Sequence, residues 1–481
     1  MHINNIIIGA GPAGLQAAYL FKKYNIEYVI LEKYSFCSSF LKKFPHSGEL
    51  ISINKKNTGS TNRDFNLRHD WNSLLNDSEL LFTDFDNNYY PSNQNYIHYL
   101  NAFIDKFSIQ IKYNCCVNKI TKNNNKYIIE TNDNVYSCDK LILATGLSCP
   151  NYPDICCNTI DKIPHYGCFK SQYFKEKENL NEYTNKKILL IGLGNSSLEL
   201  ANVLNEYASS ILIYSRHNSK WAMSSHYTGN LRAKYLSYLD TFLLKSLNGI
   251  NFYHDSSITI KQEIANGKYI IYETTNENEC IKHIREYDKV IICTGWKFDS
   301  TIFDFQIETI YNNKYPKLSF NYESTNNRNL FFIGSLMHAN DYKKSSGGFI
   351  HGFRYLIDLF VKLNYKPYAF YKQVFSCDNI ENDVITLTSH ICNRINTASS
   401  IYQMYGILCD FFFYNPTYKQ FMYMHDLTLD CVKNMYIIDG TFNYFVLTLE
   451  YGSKNITDIY QFGLKFSVLG KESMSSLLHP V

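Results

Sequence analysis

Ile6-Ile7-Ile8-Gly9-Ala10-Gly11-Pro12-Ala13-Gly14, an apolar helical pattern over residues 15–24, and Tyr28-Val29-Ile30-Leu31-Glu32 follow one another near the start of the chain. A short β-branched run bounded by glycine reads as a buried parallel strand, and the glycines make the tight turn into a helix. Gly9 turns the chain, Gly11 lets the backbone approach a pyrophosphate, and Gly14 lets the helix pack close to its strand. Phosphates rest on the helix N-terminus beside Pro12 and Ala13, where free N–H groups and the macrodipole favour negative charge. Glu32 ends the second strand 18 residues after Gly14, placed to accept hydrogen bonds from a ribose diol, with Lys33 beside it. Strand, motif, helix, strand and acid in that order point to dinucleotide binding; a lone glycine turn would not.

Outward from this unit the pattern recurs. Residues 117–139, opening at Val117, read as short strands joined by polar turns and lead into Lys140-Leu141-Ile142-Leu143-Ala144-Thr145-Gly146. This buried strand returns the chain to the first sheet, and the small residues at its end leave room for a flavin nucleotide at Thr145 and Gly146. A second nucleotide unit follows: a strand at 187–191, the turn Gly192-Leu193-Gly194-Asn195-Ser196-Ser197, and a helix over 198–207. Ser197 stands where the third glycine would, which serves close helix packing less well. The next strand ends in Ser215-Arg216 rather than an acid. A guanidinium there suits a 2′-phosphate, so NADPH is expected over NADH, with contacts at Gly192, Gly194, Asn195, Ser196 and Arg216. Lys289-Val290-Ile291-Ile292-Cys293-Thr294-Gly295-Trp296 echoes the Thr145-Gly146 strand end and closes this unit.

Asn329-Leu330-Phe331-Phe332-Ile333-Gly334 reads as a strand belonging to the first domain, leading to Ser345-Ser346-Gly347-Gly348-Phe349-Ile350-His351-Gly352-Phe353-Arg354-Tyr355 and an amphipathic helix. Gly334, Gly348 and Phe349 are expected at the cofactor, with backbone N–H groups at the helix start aimed at the flavin pyrimidine edge. Residues 34–91 form a long polar loop, which in a compact domain is usually functional. Its dense part contains Arg68-His69-Asp70-Trp71-Asn72. Asn72 is the candidate catalytic side chain at the flavin edge, with Trp71 as a neighbouring wall; support of the loop is the competing role of this run. Past Pro367, residues 386–413 are expected to be helical, and residues 436–451 read as a hairpin around Asp439-Gly440.

At 481 residues the chain exceeds one ordinary core. Its net charge of +3 comes from well-mixed charges, which gives no basic face for nucleic acid. The 14 cysteines include no Cys-x-x-Cys, so neither a metal site nor a reductase with its own dithiol is expected. No run reaches the ~18 apolar residues of a membrane span, and no apolar leader precedes the first strand. A cytoplasmic location is the expectation from sequence.

These stretches resemble the flavoprotein class that includes flavin-containing monooxygenases. The run from Leu50-Ile51-Ser52-Ile53-Asn54-Lys55 to Phe65-Asn66-Leu67-Arg68-His69-Asp70-Trp71-Asn72-Ser73-Leu74-Leu75, the Gly192 and Ser346–Tyr355 stretches, and Ile401-Tyr402-Gln403-Met404-Tyr405-Gly406 are similar to its endoplasmic-reticulum flavoproteins associated with degradation. The resemblance implies FAD and NADPH as cofactors and protein quality-control partners, with the endoplasmic-reticulum lumen as the alternative location. Pro164-His165-Tyr166-Gly167-Cys168-Phe169-Lys170 does not match the monooxygenases' Phe-x-Gly-x-x-x-His signature, and His165 is expected at the surface.

The fold expected is α/β, with two Rossmann-like dinucleotide-binding domains and a mixed C-terminal subdomain. FAD-binding parts are expected at 1–152 and 298–375, an NAD(P)H domain at 153–297, and a helical and hairpin extension at 376–481. The leading function is an NADPH-dependent oxidoreductase passing electrons from flavin to an unknown small-molecule or protein acceptor. A monooxygenase and a flavoprotein adaptor in quality control are the alternatives.

Overall fold

Three isoleucines in a row leave β1 (Asn5–Ile8) with no solvent face, and it is buried throughout. The chain runs on through α1 (Pro12–Lys23), β2 (Val29–Leu31), α2 (Asn93–Phe107) and β3 (Ile111–Lys112). A meander of β4 (Val117–Asn123), β5 (Lys126–Thr131) and β6 (Val135–Cys138) then leads into β7 (Lys140–Leu143). The computed structural model describes the chain apart from residues 156–159, 172, 236–249, 254–256, 263–266, 275–280, 371, 377–379, 416, 436–442, 452–463 and 471–481.

A second strand–helix–strand series follows: β8 (Lys187–Ile191), α3 (Asn195–Leu204), β9 (Ser210–Tyr214) and β10 (Ile250–Tyr253). The antiparallel β11 (Ser257–Gln262), β12 (Tyr269–Thr274) and β13 (Ile281–Tyr287) precede β14 (Lys289–Ile292). Strand β15 (Leu330–Phe332) and helix α4 (Ile350–Tyr365) come next. The C-terminal part comprises β16 (Lys372–Ser376), α5 (Ile380–Thr397), β17 (Leu408–Asn415), β18 (Gln420–Thr428), β19 (Asn443–Tyr451) and β20 (Leu464–Gly470).

Two compact units result. The first holds Met1–Ser39, Ser52–Leu147 and Phe298–Val481; the second holds Phe40–Ile51 and Ser148–Lys297. The parallel sheet of the first has the order β15-β7-β1-β2-β3, that of the second β10-β9-β8-β14. Each is the nucleotide-binding arrangement read from the two glycine motifs. In the first unit α1 packs on α4, with the Phe21 and Tyr365 rings 4.8 Å apart.

The boundaries depart from the sequence expectation in two places. Residues 40–51 lie with the second unit, because Ser47 N–H donates to Glu199 Oε1 at 2.6 Å and His46 N–H to the Tyr166 hydroxyl at 3.2 Å. The segment from 376 is part of the first unit. The helix expected over 386–413 stops at Thr397. Leu408–Asn415 is a strand paired with β18 and β19 in an antiparallel sheet of order β16-β18-β17-β19-β20. A short run of Phe and Tyr fits a pleated surface as well as a helix, and periodicity cannot separate the two. The turn of the hairpin expected around Asp439-Gly440 lies outside the described residues. Asn443–Tyr451 itself pairs with β17 and β20.

Among the described residues, no helix is long and apolar enough to cross a membrane, and no cluster of His, Cys, Asp and Glu is placed to hold a metal ion.

Candidate functional site

The turn from β1 into α1 is built by close backbone approach. Gly9 sits at φ +105°, and a Cβ there would lie 2.9 Å from the Ala144 carbonyl oxygen at the end of β7. A Cβ at Gly14 would come within 2.1 Å of the Gly9 carbonyl oxygen, so helix and turn touch where the sequence motif requires. Gly334, at the end of β15, faces Ala13 just as closely, at 2.5 Å. Gly146 approaches Ser335 Oγ at 3.4 Å. The motif, the Thr145-Gly146 turn and the Gly334 turn are therefore gathered at one end of the first sheet.

Gly11 differs from these. Its φ is −81°, open to any residue, and a Cβ there would meet nothing within 4 Å. Neither backbone strain nor packing calls for glycine at this position. A glycine here leaves the space in front of it open, and the N-terminus of α1, which lacks a side-chain cap, lies directly after it. This space fits the pyrophosphate of a dinucleotide.

Glu32 is buried and holds the turn from the far side. Its Oε2 accepts from Ala10 N–H at 2.8 Å and its Oε1 from Tyr34 N–H at 3.1 Å. Burial raises its pKa, and these N–H groups oppose the rise. Each oxygen retains a lone pair, so the ribose role remains open alongside the structural one. Lys33 is exposed, and Val117 opens the meander opposite Thr131.

The long loop is tightly held. Asn72 is fully buried, its Oδ1 accepting from Ser52 Oγ at 2.5 Å and its Nδ2 donating to the Ile53 carbonyl at 3.2 Å. Trp71 stacks on His351 with centroids 4.2 Å apart, and His351 stacks in turn on Phe349 at 5.8 Å. The structure thus joins Trp71, Phe349 and the start of α4. The donors expected toward the flavin are a different matter. Gly347 N–H goes to Asp341 Oδ2 at 2.8 Å and Phe349 N–H to the Ser346 carbonyl at 3.0 Å, so both are spent inside the protein. Gly348 is required by packing, since a Cβ would lie 2.9 Å from the His338 ring.

His338 and Asp341 were not legible from sequence. Both are buried, with Nδ1 and Oδ1 2.8 Å apart, and Asp341 also holds the Gly347 turn. Their i, i+3 spacing gave a hint, but only the fold shows what they touch.

The second unit repeats the first motif. Gly192 sits at φ +110° with its Cβ position 2.7 Å from the Cys293 carbonyl oxygen, as Gly9 does against Ala144. Gly194, like Gly11, has open space in front of it. Ser197 answers for the missing third glycine: its Oγ donates to the Gly194 carbonyl at 2.8 Å and accepts from Gly194 N–H at 3.1 Å. Asn195 bonds the loop opposite, to the Asn230 carbonyl and the Arg232 N–H, both at 3.0 Å, with Ser196 partly buried beside it. Arg216 is exposed just past β9. His165 corrects the sequence expectation: it is 1% exposed, its Nδ1 accepting from Gly167 N–H at 2.9 Å. Burial lowers its pKa to about 4, so the ring is neutral at physiological pH.

Among the described residues the cysteines are free, and burial pushes the Cys37 thiol up to about 11. A buried protonated thiol is a poor nucleophile.

These features agree with known proteins. The model of the pyridine nucleotide-disulphide oxidoreductases matches residues 6–334. FAD-dependent oxidoreductase domain-containing protein 2 of Mus musculus is 32% identical over 100% of this chain and 76% of that protein. Its Danio rerio counterpart is 31% identical over 99% of this chain and 74% of its own. Bacillithiol disulfide reductase from Bacillus cereus shares the fold at 19% identity, with a TM-score of 0.55 over 76% of this chain and 98% of its own. A flavin-containing monooxygenase from Stenotrophomonas maltophilia does so at 14% and 0.55, over 75% and 98%. The chain belongs to the pyridine nucleotide-disulphide oxidoreductase family and is an FAD-dependent oxidoreductase.

Proposed function

We propose that this chain is an NADPH-dependent reductase: the second unit binds NADPH, the first binds FAD, and electrons leave for a separate acceptor. The observation that carries the reading is the repeated turn. Gly192 and Gly194 reproduce the close backbone approach of Gly9 and the open space of Gly11. Neither φ nor packing asks for a glycine at 194, and the space in front of it is open to a ligand.

When bound, FAD supplies the hydride acceptor and the onward electron chemistry. The chain's own part is binding and orientation. The N-termini of α1 and α3 face the two pyrophosphates, Glu32 offers its remaining lone pairs to a ribose, and Trp71 walls the flavin edge, with the buried Asn72 holding the loop behind it. Arg216 takes the 2′-phosphate.

Arg216 carries the test. A guanidinium can hold a phosphate bidentately, and bonds to charged groups contribute about 1.5–3 kcal/mol each. At ~1.4 kcal/mol per factor of ten, Arg216→Ala weakens NADPH binding on the order of tenfold to a hundredfold and leaves NADH nearly untouched. Flavin reduction measured with both nucleotides in wild type and variant reads this directly. Equal losses, or none, would remove Arg216 as the discriminator.

A further inference from the structure

Residues 394–403 lie beyond the stretch matched by the family, yet they grip the loop that bears Trp71 and Asn72. The grip centres on Arg68. Its Nε donates to the Ala398 carbonyl at 2.9 Å and an Nη to the Ile395 carbonyl at 2.7 Å, so a cation closes the C-terminal end of α5. Its guanidinium also lies 4.6 Å from the centre of the Tyr402 ring. The carbonyl of the same residue accepts from Gln403 Nε2 at 2.7 Å and from Trp71 Nε1 at 3.1 Å. One backbone oxygen therefore ties the C-terminal segment to the indole of the flavin loop. A second tie lies upstream, where Ser399 N–H donates to Asp64 Oδ1 at 3.1 Å.

The opposite side of the loop is fixed by α4. Arg354 is 0% exposed, and its guanidinium donates to the carbonyls of Leu67, Asp70 and Ser73 at 2.8, 3.0 and 2.8 Å. A buried charge bonded to three loop carbonyls dictates the loop's course, because displacement would strand it without those partners. Residues 67–73 are thus held between Arg354 on one side and the C-terminal segment on the other. Arg394 fixes that segment in turn, bonding Asp410 through Nε at 2.8 Å and Asp426 through Nη2 at 2.9 Å.

We propose that the C-terminal segment is a positioning element for the flavin site, and that Arg68 is the positioning residue through which it sets Trp71 and Asn72. The proposal rests on the reading that this loop borders the flavin. Removing the Arg68 contacts leaves the Arg354 anchor intact, so the loop loosens without unfolding.

The test uses full-length flavoprotein and the variants Arg68→Gln and Asn72→Ala. Bound FAD, hydrogen exchange of the 66–76 backbone, and the visible circular dichroism and midpoint potential of the flavin are read for each. Arg68→Gln is expected to keep its FAD, to exchange about tenfold faster in this stretch once its charge-assisted bonds go, and to move the flavin signals in the same sense as Asn72→Ala. Wild-type flavin signals in Arg68→Gln, beside shifted ones in Asn72→Ala, would reduce the C-terminal grip to packing and overturn the proposal. Unshifted signals in Asn72→Ala would instead show that the loop does not border the flavin, and the proposal would fall with that reading. Should Arg68→Gln not fold, Gln403→Leu removes only the donor to the Arg68 carbonyl and is judged by the same outcomes.

Discussion

At the scale of single residues, two glycines of one motif are required for opposite reasons. Gly14 is packed so tightly that a Cβ would meet the Gly9 carbonyl oxygen at 2.1 Å, whereas Gly11 faces open space. Gly11→Val should therefore fold but purify colourless, since its methyl groups occupy the pyrophosphate's place. Gly14→Val should fail to fold. Absorbance and far-ultraviolet circular dichroism separate the two, and a yellow Gly11→Val protein would contradict the assignment of that space. Gly9 and Gly14 were legible because each answers a local demand of turn or packing. His165 was not. Its burial depends on the Tyr166-Gly167 turn seating beside Ile292 and Trp296, contacts made across more than a hundred residues. His338 and Asp341 were equally hidden, since only the packing of Gly348 against the imidazole reveals why the two are adjacent.

At the scale of elements, strands flanked by motif glycines could be read and those of the C-terminal sheet could not. Strand β15 shows why the former succeed: Leu330, Phe331 and Phe332 are all buried, so an apolar run with no polar alternate admits only a covered strand. Phe332 packs edge to face on Phe298 with centroids 5.4 Å apart. Phe332→Ala should cost about 3–5 kcal/mol, the usual penalty for emptying a buried ring site. Urea unfolding followed by fluorescence measures it, and a loss under ~1 kcal/mol would mean that the strand is not part of the core. The sheet of β16 to β20 lacks such local punctuation. Gly406, at φ +66°, lies in the turn between the short helix Ser400–Gln403 and β17, a signal visible only as one glycine among aromatic residues. Its strand order is set by long-range pairing, which no local pattern reveals.

At the scale of the molecule, the acidic partners of Arg394 make stability depend on pH. Burial alone would raise the Asp426 pKa, but the charges of His425 and Arg394 and the Ser400 hydroxyl outweigh it and hold the carboxyl well below the ordinary range. A group depressed in the folded state contributes its stability above the unfolded pKa of about 3.9 and loses it as pH falls below that value. Wild type should lose stability progressively below about pH 4. Asp426→Asn should be less stable at neutral pH, by on the order of 3 kcal/mol, with a shallower acid limb. Thermal midpoints from neutral to acid pH decide this, and parallel acid limbs would contradict it. Two nucleotide units were legible from their repeated motifs, whereas the assignment of residues 40–51 to the second was not, because it rests on Glu199 and Tyr166 far along the chain. The central claim is that both units work together, one holding NADPH and the other FAD. Its most direct test is an anaerobic titration of the purified yellow protein with NADPH, followed by visible absorbance. Bleaching of the flavin band, complete near an equimolar amount and requiring far more NADH, is the predicted result; a band untouched by excess NADPH would contradict the claim.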